Sequence, residues 1–273
     1  MSLRFGVYGT DYSEEVLKSV GRLNHHPLVD RVMYHQDLAE KIGIKGYTLK
    51  DIQEANLDFM MTVGGDGTIL RILRKGDFKI LGMNTGRVGF LTAVDLPELE
   101  TVLERMDKGE FHIDERIKLK TVLNGNDIGE STNEVVVHTD KVAKIRSFEV
   151  YLDGSLVDRF RADGVIVSTP TGSTCYSMSV GGPILDPRVP AFVIVPISPY
   201  KLATKPYIVP INMDINIKLV EKDKSCLMVS DGQDEHNITD KDEIIFRLAE
   251  NTAKFVRFEN DFYSRIQKKL VWR

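Results

Sequence analysis

Apolar positions follow two different rhythms along this chain of 273 residues, and the change between them predicts two domains. In the first third, strand and helix patterns alternate. Leu3-Arg4-Phe5-Gly6-Val7-Tyr8 predicts a strand, and residues 13–23 predict a helix capped by Ser13. The apolar run 57–63 predicts a buried strand, Ile69-Leu70-Arg71-Ile72-Leu73 opens a helix, and 78–83 predicts a further strand. Between Pro97 and Lys108, Leu99, Val102, Leu103 and Met106 line one helical face. This alternation predicts a mainly parallel sheet covered by helices. From about residue 112 the runs become short and are punctuated by Asn124-Gly125, Asp153-Gly154, Asp163-Gly164 and Asp231-Gly232, the turn pairs of antiparallel hairpins. At the end of the chain Phe262, Ile266 and Leu270 recur at helical spacing. The expected organisation is an α/β domain over 1–110, an all-β domain over 111–258 and a helix over 259–273 that packs back on one of them.

Composition narrows the class without naming a function. With 42% hydrophobic and 28% charged residues the chain is that of an ordinary globular protein. A formal net charge of −4 gives no basic face, so nucleic acid is not an expected partner. The longest apolar stretch, residues 191–197, is too short to span a bilayer, and Met1-Ser2-Leu3-Arg4 runs straight into a strand pattern, so neither membrane nor secretion is expected. Cys175 and Cys226 do not make a disulfide framework and are expected as reduced thiols of a cytoplasmic protein. His25, His26, His35, His112, His138 and His236 show no metal-ligand spacing.

The most informative stretch is Gly64-Gly65-Asp66-Gly67-Thr68, set between the strand at 57–63 and the helix after Thr68. Glycines at such a turn let backbone N–H groups approach a bound group, and a helix N-terminus favours an anion such as phosphate. Asp66 conflicts with that role, because a bare carboxylate repels phosphate unless it binds a metal or takes a proton. The conflict suggests phosphoryl transfer. Against it stands the plain reading of a turn with Asp as N-cap. The loop has neither the Gly-Lys-Ser/Thr ending of a P-loop nor the spacing of the dinucleotide fingerprint.

Other stretches add chemistry. Residues 84–91, Asn-Thr-Gly-Arg-Val-Gly-Phe-Leu, follow a predicted parallel strand, so they are expected at the sheet edge where ligands bind, facing the first loop, unless Gly86 and Gly89 only shape a turn. Asn133-Glu134 can grip a ribose by paired hydrogen bonds, or form a surface turn. Between Thr169 and Ser177 five hydroxyl side chains accompany Tyr176. They suit sugar hydroxyls and amides, with Tyr176 stacking on a base, or else cap a helix.

Taken in order, Gly-Gly-Asp-Gly-Thr at 64–68, the stretch at 84–91, Asn-Glu at 133–134 and Asp-Gly…Thr-Pro-Thr-Gly-Ser-Thr-Cys-Tyr-Ser at 163–177 resemble the NAD kinase family. Gly181-Gly182-Pro183 and Asp231-Gly232-Gln233 fit as well. Lipid kinases of the diacylglycerol type and phosphofructokinases carry a similar first loop without its companions, and a non-catalytic NAD(P)-binding sensor is the other alternative. The resemblance implies a Rossmann-like parallel α/β domain followed by an antiparallel β-sandwich, assembled as a homodimer or homotetramer. It implies transfer of phosphoryl from ATP, or polyphosphate, to the 2′-hydroxyl of the adenosine ribose of NAD, with Mg²⁺ or another divalent metal on the ATP. Asp66 matches the proton acceptor, with Gly67 and Arg71 at the same end of the site. Asn133, Glu134, Lys144, Arg161, Asp163, Thr174, Cys175, Tyr176, Ser177, Met178, Ser179, Ser198 and Gln233 match positions that contact the dinucleotide. Cys175 departs from the Ala usual there, and residues 1–55 match no motif.

Overall fold

The computed structural model describes residues 2–86 and 89–268. Contacts divide the chain into two units, one formed by 1–115 with 253–273 and the other by 116–252. The expected boundaries after 110 and 258 fall several residues from these. The difference at the second boundary comes from a strand that begins in one unit and ends in the other.

In the first unit, four strands lie parallel in the order β2 (Val29–Tyr34), β1 (Leu3–Gly9), β3 (Phe59–Val63), β4 (Lys79–Asn84), and β5 (Val94–Asp95) also pairs with β4. Beyond β4 the sheet continues through Lys254 and Phe255, which pair in parallel with Lys79 and Ile80. Both faces are covered, which is why the strands read as apolar runs rather than as alternations. On one face Phe5, Val7, Met61, Leu81 and Met83 form a core with α1 (Glu14–Gly21) and α5 (Leu99–Asp107). On the other, Met60 and Ile80 pack with Ile52, from α3 (Leu49–Glu54), and with Ile69 and Ile72, from α4 (Asp66–Leu73). A further helix, α2 (Gln36–Ile42), completes the set. Ser13 occupies the N-cap of α1, but its side chain makes no capping bond; its N–H instead donates to Asp11 Oδ1 at 2.9 Å.

This strand order creates a switch point. The chain leaves β1 through α1 on one face and leaves the adjacent β3 through α4 on the other. Loops at the carboxyl ends of such a strand pair diverge and leave a crevice where ligands bind in open α/β sheets. The loop at 64–68 sits there, tied to the end of β1 by a 2.7 Å hydrogen bond between the Thr10 and Thr68 hydroxyls.

The second unit is antiparallel. Six strands run in the order β13 (Tyr207–Pro210), β12 (Ala191–Ile197), β11 (Gly164–Ser168), β8 (Glu134–Thr139), β15 (Ser225–Ser230), β16 (Asp234–Thr239). A second layer contains β10 (Ser155–Ala162), β9 (Arg146–Leu152), β14 (Ile215–Leu219) and the first part of β17 (Ile244–Arg257). The hairpin of β6 (His112–Leu123) with β7 (Asn126–Ser131) accompanies it. Val135, Val137, Val165 and Val167 from the first layer pack with Phe148, Val150, Phe160 and Phe246 from the second, so the unit is a β-sandwich.

Three of the four expected turn pairs close hairpins in the left-handed conformation: Asn124-Gly125, Asp153-Gly154 and Asp231-Gly232 all have positive φ. Asp163-Gly164 does not. It joins β10 to β11, which lie in different layers, and Gly164 is itself a strand residue. A Cβ there would come within 2.5 Å of the Val137 carbonyl oxygen, so glycine serves close strand approach rather than a turn.

The short helix α7 (Phe262–Ile266) belongs to the first unit and has no fully buried residue. It docks through Arg265, which donates to the carbonyls of Gly89, Thr92 and Ala93. Leu270, expected on the same helical face, lies outside the described residues. Among the described residues no helix is long and apolar enough to cross a membrane.

Candidate functional site

The loop after β3 is built by its glycines in two different ways. Gly64 has φ of +147°, and a Cβ there would collide with the Thr68 hydroxyl. Gly65 and Gly67 are exposed, and among the described residues a Cβ at either would meet nothing within 4 Å beyond its own chain neighbours. Packing therefore demands glycine only at 64. The open space over 65 and 67 lies at the N-terminus of α4, where N–H groups point outward and the helix dipole favours negative charge.

Asp66 is the first residue of α4, and its carboxylate is bound by the backbone of residues 90–92. The N–H of Phe90 donates to Oδ2 at 2.7 Å, and those of Leu91 and Thr92 donate to Oδ1 at 3.0 and 3.2 Å. A carboxylate offers about four acceptor positions, so about one is left. Gly89 makes this arrangement possible, because a Cβ there would overlap the Asp66 carboxylate. The stretches at 64–68 and 84–91, expected from the sequence to face each other, thus meet on one side chain. Arg87 and Val88 of the second stretch lie outside the described residues. Asn84, buried at the end of β4, donates through Nδ2 to Gly86 O at 2.9 Å and to Asp95 Oδ1 at 2.8 Å. Arg71 is exposed on α4.

The second unit repeats the device. Asp231, at the tip of the β15–β16 hairpin, accepts N–H bonds from Thr132 at 2.8 Å, Asn133 at 2.8 Å and Glu134 at 3.2 Å. Its own N–H donates to Glu134 O at 3.0 Å. The backbone of the Asn133-Glu134 pair is thereby fixed, and its side-chain oxygens are left over. Among the described residues Asn133 Oδ1 and Glu134 Oε2, both buried, have no hydrogen-bond partner. Burial, with the Asp231 charge adding to it, pushes the Glu134 carboxyl up to about 8, so at neutral pH it keeps its proton. Asn133 Nδ2 donates to Cys175 Sγ at 3.4 Å.

Most hydroxyls between 169 and 177 face inward. Thr169 donates to Thr132 O at 2.6 Å, Ser173 to Pro170 O at 2.7 Å and Thr174 to Thr171 O at 3.3 Å. Thr171 Oγ1 and Ser177 Oγ are buried without partners. Gly172 lets this loop lie on Asn133, whose carbonyl a Cβ would strike. Tyr176, which opens the short helix α6 (Tyr176–Ser179), is exposed, as is Ser179, while Cys175 and Met178 are half-buried.

The remaining predicted residues separate into two groups. Because Gly164 pairs with His138 and Ser168 with Glu134, the loop at 169–177 lies at the Asn133 end of β8 and Asp163 at the Thr139 end. Gln233 belongs with the first group, its N–H bonded to Ser230 O at 2.9 Å. Arg161, Asp163 and Ser198 belong with the second. Tyr200 N–H donates to Arg161 O at 2.8 Å, the Arg161 guanidinium lies 5.8 Å from the Tyr200 ring centre, and Asp163 N–H donates to Ile197 O at 3.0 Å. Ser198 holds a left-handed φ of +46°. Lys144 is exposed in the segment that follows the Thr139 end of β8. Five residue steps along β8 put the two groups roughly 17 Å apart.

Sequence reasoning named Asp231 only as part of a fitting motif and did not name Gly89 as a steric requirement. It gave no role to Arg257 or Arg265. For Asp231 the signal is an Asp-Gly hairpin tip whose acid can reach back to strand N–H groups. For the two arginines the sequence holds none, since their partners are carbonyls far away in the chain.

Comparison with known proteins identifies the family. Residues 15–111 match the family model described as ATP-NAD kinase N-terminal domain, and residues 132–258 match the one described as ATP-NAD kinase C-terminal domain. An NAD kinase of Methanothermobacter thermautotrophicus is 44% identical over 81% of this chain and 79% of its own. One of Thermococcus gammatolerans is 39% identical over 99% of this chain and 100% of its own. Among solved structures, an NAD kinase from Archaeoglobus fulgidus in complex with ATP superposes with a TM-score of 0.78 at 31% identity, covering 97% of this chain and 98% of its own. Yeast NADH kinase complexed with NADH gives 0.87 at 25% identity, covering 100% and 88%.

Proposed function

Because the chain belongs to the NAD kinase family, we propose that it transfers the γ-phosphoryl of ATP to the 2′-hydroxyl of the adenosine ribose of NAD, giving NADP and ADP. The observation that carries the reading is the Asp66 carboxylate, held at the N-terminus of α4 by three backbone N–H groups with about one acceptor position left. A ribose hydroxyl is a weak nucleophile at neutral pH. As its oxygen bonds to the γ-phosphorus, its proton passes to Asp66, and the bond from the γ-phosphorus to the bridging oxygen breaks to release ADP. Proton acceptance of this kind contributes ~10²–10⁴-fold. The open space over Gly65 and Gly67 suits phosphoryl oxygens close to the backbone, with Arg71 at the same end. Polyphosphate offers the same terminal phosphoryl chemistry as an alternative donor.

Within the second unit, Asn133 and Glu134 offer hydrogen bonds suited to a ribose. Buried Oδ1 of Asn133 accepts, and a protonated Glu134 carboxyl both donates and accepts. Exposed Tyr176 offers a face for a base, with Thr174, Cys175, Ser177, Met178, Ser179 and Gln233 around it. Arg161, Asp163, Ser198 and Lys144, at the other end of β8, form a second contact group. Beside them Tyr200 is 72% and Leu202 92% exposed, an apolar edge suited to a second copy of the chain. A homodimer or homotetramer, in the cytoplasm, follows as the assembly we propose.

Among the described residues no group of three or more His, Cys, Asp or Glu could hold a metal. Mg²⁺ would be carried on the ATP phosphates, as a cation that is held by one or two carboxylates and keeps its waters. Bound there it neutralises charge developing on the transferring phosphoryl.

The test is direct. Purified protein given Mg²⁺-ATP and, in separate reactions, NAD, a diacylglycerol and fructose 6-phosphate is expected to phosphorylate NAD alone. Asp66→Asn is expected to lose ~10²-fold or more in kcat while still binding NAD. A mutant near wild-type rate removes Asp66 as the proton acceptor, and transfer only to lipid or sugar removes the substrate.

A further inference from the structure

Residues 89–93 are hydrogen-bonded along both edges of their backbone. The N–H edge faces Asp66 through Phe90, Leu91 and Thr92. Gly89 N–H donates to Thr92 Oγ1 at 3.2 Å and Ala93 N–H to Gly82 O at 2.7 Å, so all five N–H groups are engaged. The carbonyl edge faces two guanidinium groups from the far end of the chain. Arg265, on α7, donates through Nη1 to Gly89 O at 3.2 Å and Thr92 O at 2.5 Å, and through Nη2 to Ala93 O at 3.0 Å. Arg257, at the end of β17, donates to Thr92 O at 2.8 Å and Phe90 O at 3.4 Å. Each guanidinium is itself held by an acid, Arg265 Nε by Asp261 at 2.6 Å and Arg257 Nε by Asp114 at 3.6 Å. Their side chains are only 11% and 6% exposed.

A short loop that presents three N–H groups to one carboxylate has turned several peptide dipoles the same way. Left alone, its carbonyls crowd together with like partial charge on the opposite edge. A cation there removes that crowding. Because Gly89 O shares its peptide with Phe90 N–H and Phe90 O with Leu91 N–H, polarising these two carbonyls strengthens two of the donors to Asp66. The bonds to Thr92 O and Ala93 O fix the loop's position. A planar guanidinium holds spaced carbonyls with a fixed fork of donors on separate nitrogens, whereas an ammonium gathers its three donors on one compact charge.

We propose that Arg265, with Arg257 behind it, is a positioning residue for catalysis: the C-terminal segment clamps the carbonyl edge of 89–93 so that its N–H edge aims the Asp66 carboxylate. The proposal rests on Asp66 being the proton acceptor. Arg265 touches no reacting atom, and its effect travels through the loop alone. Substrate affinity is therefore untouched, and the loss falls on kcat.

Steady-state kinetics of the full chain test this, with Arg265→Ala, Arg265→Lys and Asp66→Asn beside wild type. Arg265→Ala is expected to lower kcat ~10–100-fold, the scale of a small misplacement of a reacting group, with KM for NAD and ATP within about twofold. Arg265→Lys is expected to fall between the two. Added guanidinium ion should restore part of the rate to Arg265→Ala and none to Asp66→Asn, because the vacated carbonyls accept it. Unchanged kcat in Arg265→Ala overturns the proposal, as does a loss confined to KM or a loss that guanidinium leaves untouched. If Arg265→Ala fails to fold, Arg265→Lys carries the same decision through its kcat-to-KM split. Near-wild-type turnover by Asp66→Asn strikes the proton-acceptor reading itself. Its inactivity beside a fully active Arg265→Ala strikes only the clamp.

Discussion

Two acids that differ in their surroundings show how one residue type serves two ends. Asp66 and Asp231 each accept three backbone N–H bonds, yet Asp66 stands half-exposed at a helix end while Asp231 is buried and fixes the Asn133-Glu134 backbone. For Asp66 the decisive neighbour is Gly89. A Cβ there overlaps a side-chain terminus, which can swing aside, so Gly89→Ala is expected to cost little stability but to misaim the carboxylate. The expected outcome is a kcat reduced ~10²-fold with a melting temperature close to wild type; equal losses in both would make Gly89 a folding residue only. Glu134 carries a pH signature. Its folded carboxyl is raised from 4.5 to about 8 by burial and then by Asp231, so the folded state holds a proton that the unfolded chain gives up. Stability contributed at low pH is therefore lost as pH rises from about 4.5 to about 8, by up to ~1.4 kcal/mol per pH unit inside that window. Urea unfolding at pH 5 and pH 8 should show a larger drop for wild type than for Glu134→Gln. Equal slopes would mean that Glu134 ionises normally.

At the scale of elements, the sequence was most legible where a strand is buried on both faces. All five residues of β3 are buried, and the row Val7–Met61–Leu81 crosses three adjacent strands. No alternation is visible there because each face has its own core, and the run of apolar residues is the signal. Leu81→Ala, at a fully buried position in β4, is expected to lower the unfolding free energy by ~2–5 kcal/mol in equilibrium denaturation. A cost below 1 kcal/mol would mean that the α1–α5 side of the sheet is loosely filled. The Asn124, Asp153 and Asp231 turns were legible for a local reason: two adjacent residues had to take positive φ. Asp163-Gly164 misled because its glycine answers to a neighbouring strand. The hydroxyl-rich loop was legible as polar but not in its direction. Ser173 and Thr174 spend their hydroxyls on carbonyls inside the loop and Thr169 on the Thr132 carbonyl, which composition alone cannot distinguish from carbonyls or hydroxyls of a ligand.

Across the whole molecule, what the sequence concealed is the return of the chain to its first unit. No turn or break marks residue 253, because β17 is one continuous strand from Ile244 to Arg257. Its last part nevertheless serves the other unit. Lys254 and Phe255 extend the parallel sheet, Ala253 and Phe255 enter one of its cores and Val256 the other, and Arg257 binds the loop at 90–92. The first unit is therefore not contained in residues 1–115. Expressed alone, that fragment leaves β4 without its outer neighbour and both cores open at the same place, so it is expected to unfold without a cooperative transition. Joining 115 to 253 by a short flexible linker should restore one, since Asp114 already lies 3.6 Å from Arg257. Circular dichroism through a denaturant series on the two fragments decides the matter. A cooperative transition in 1–115 alone would show that the returning segment adds activity without adding foldedness; a transition only in the joined form makes the last residues of the chain part of the unit that carries Asp66.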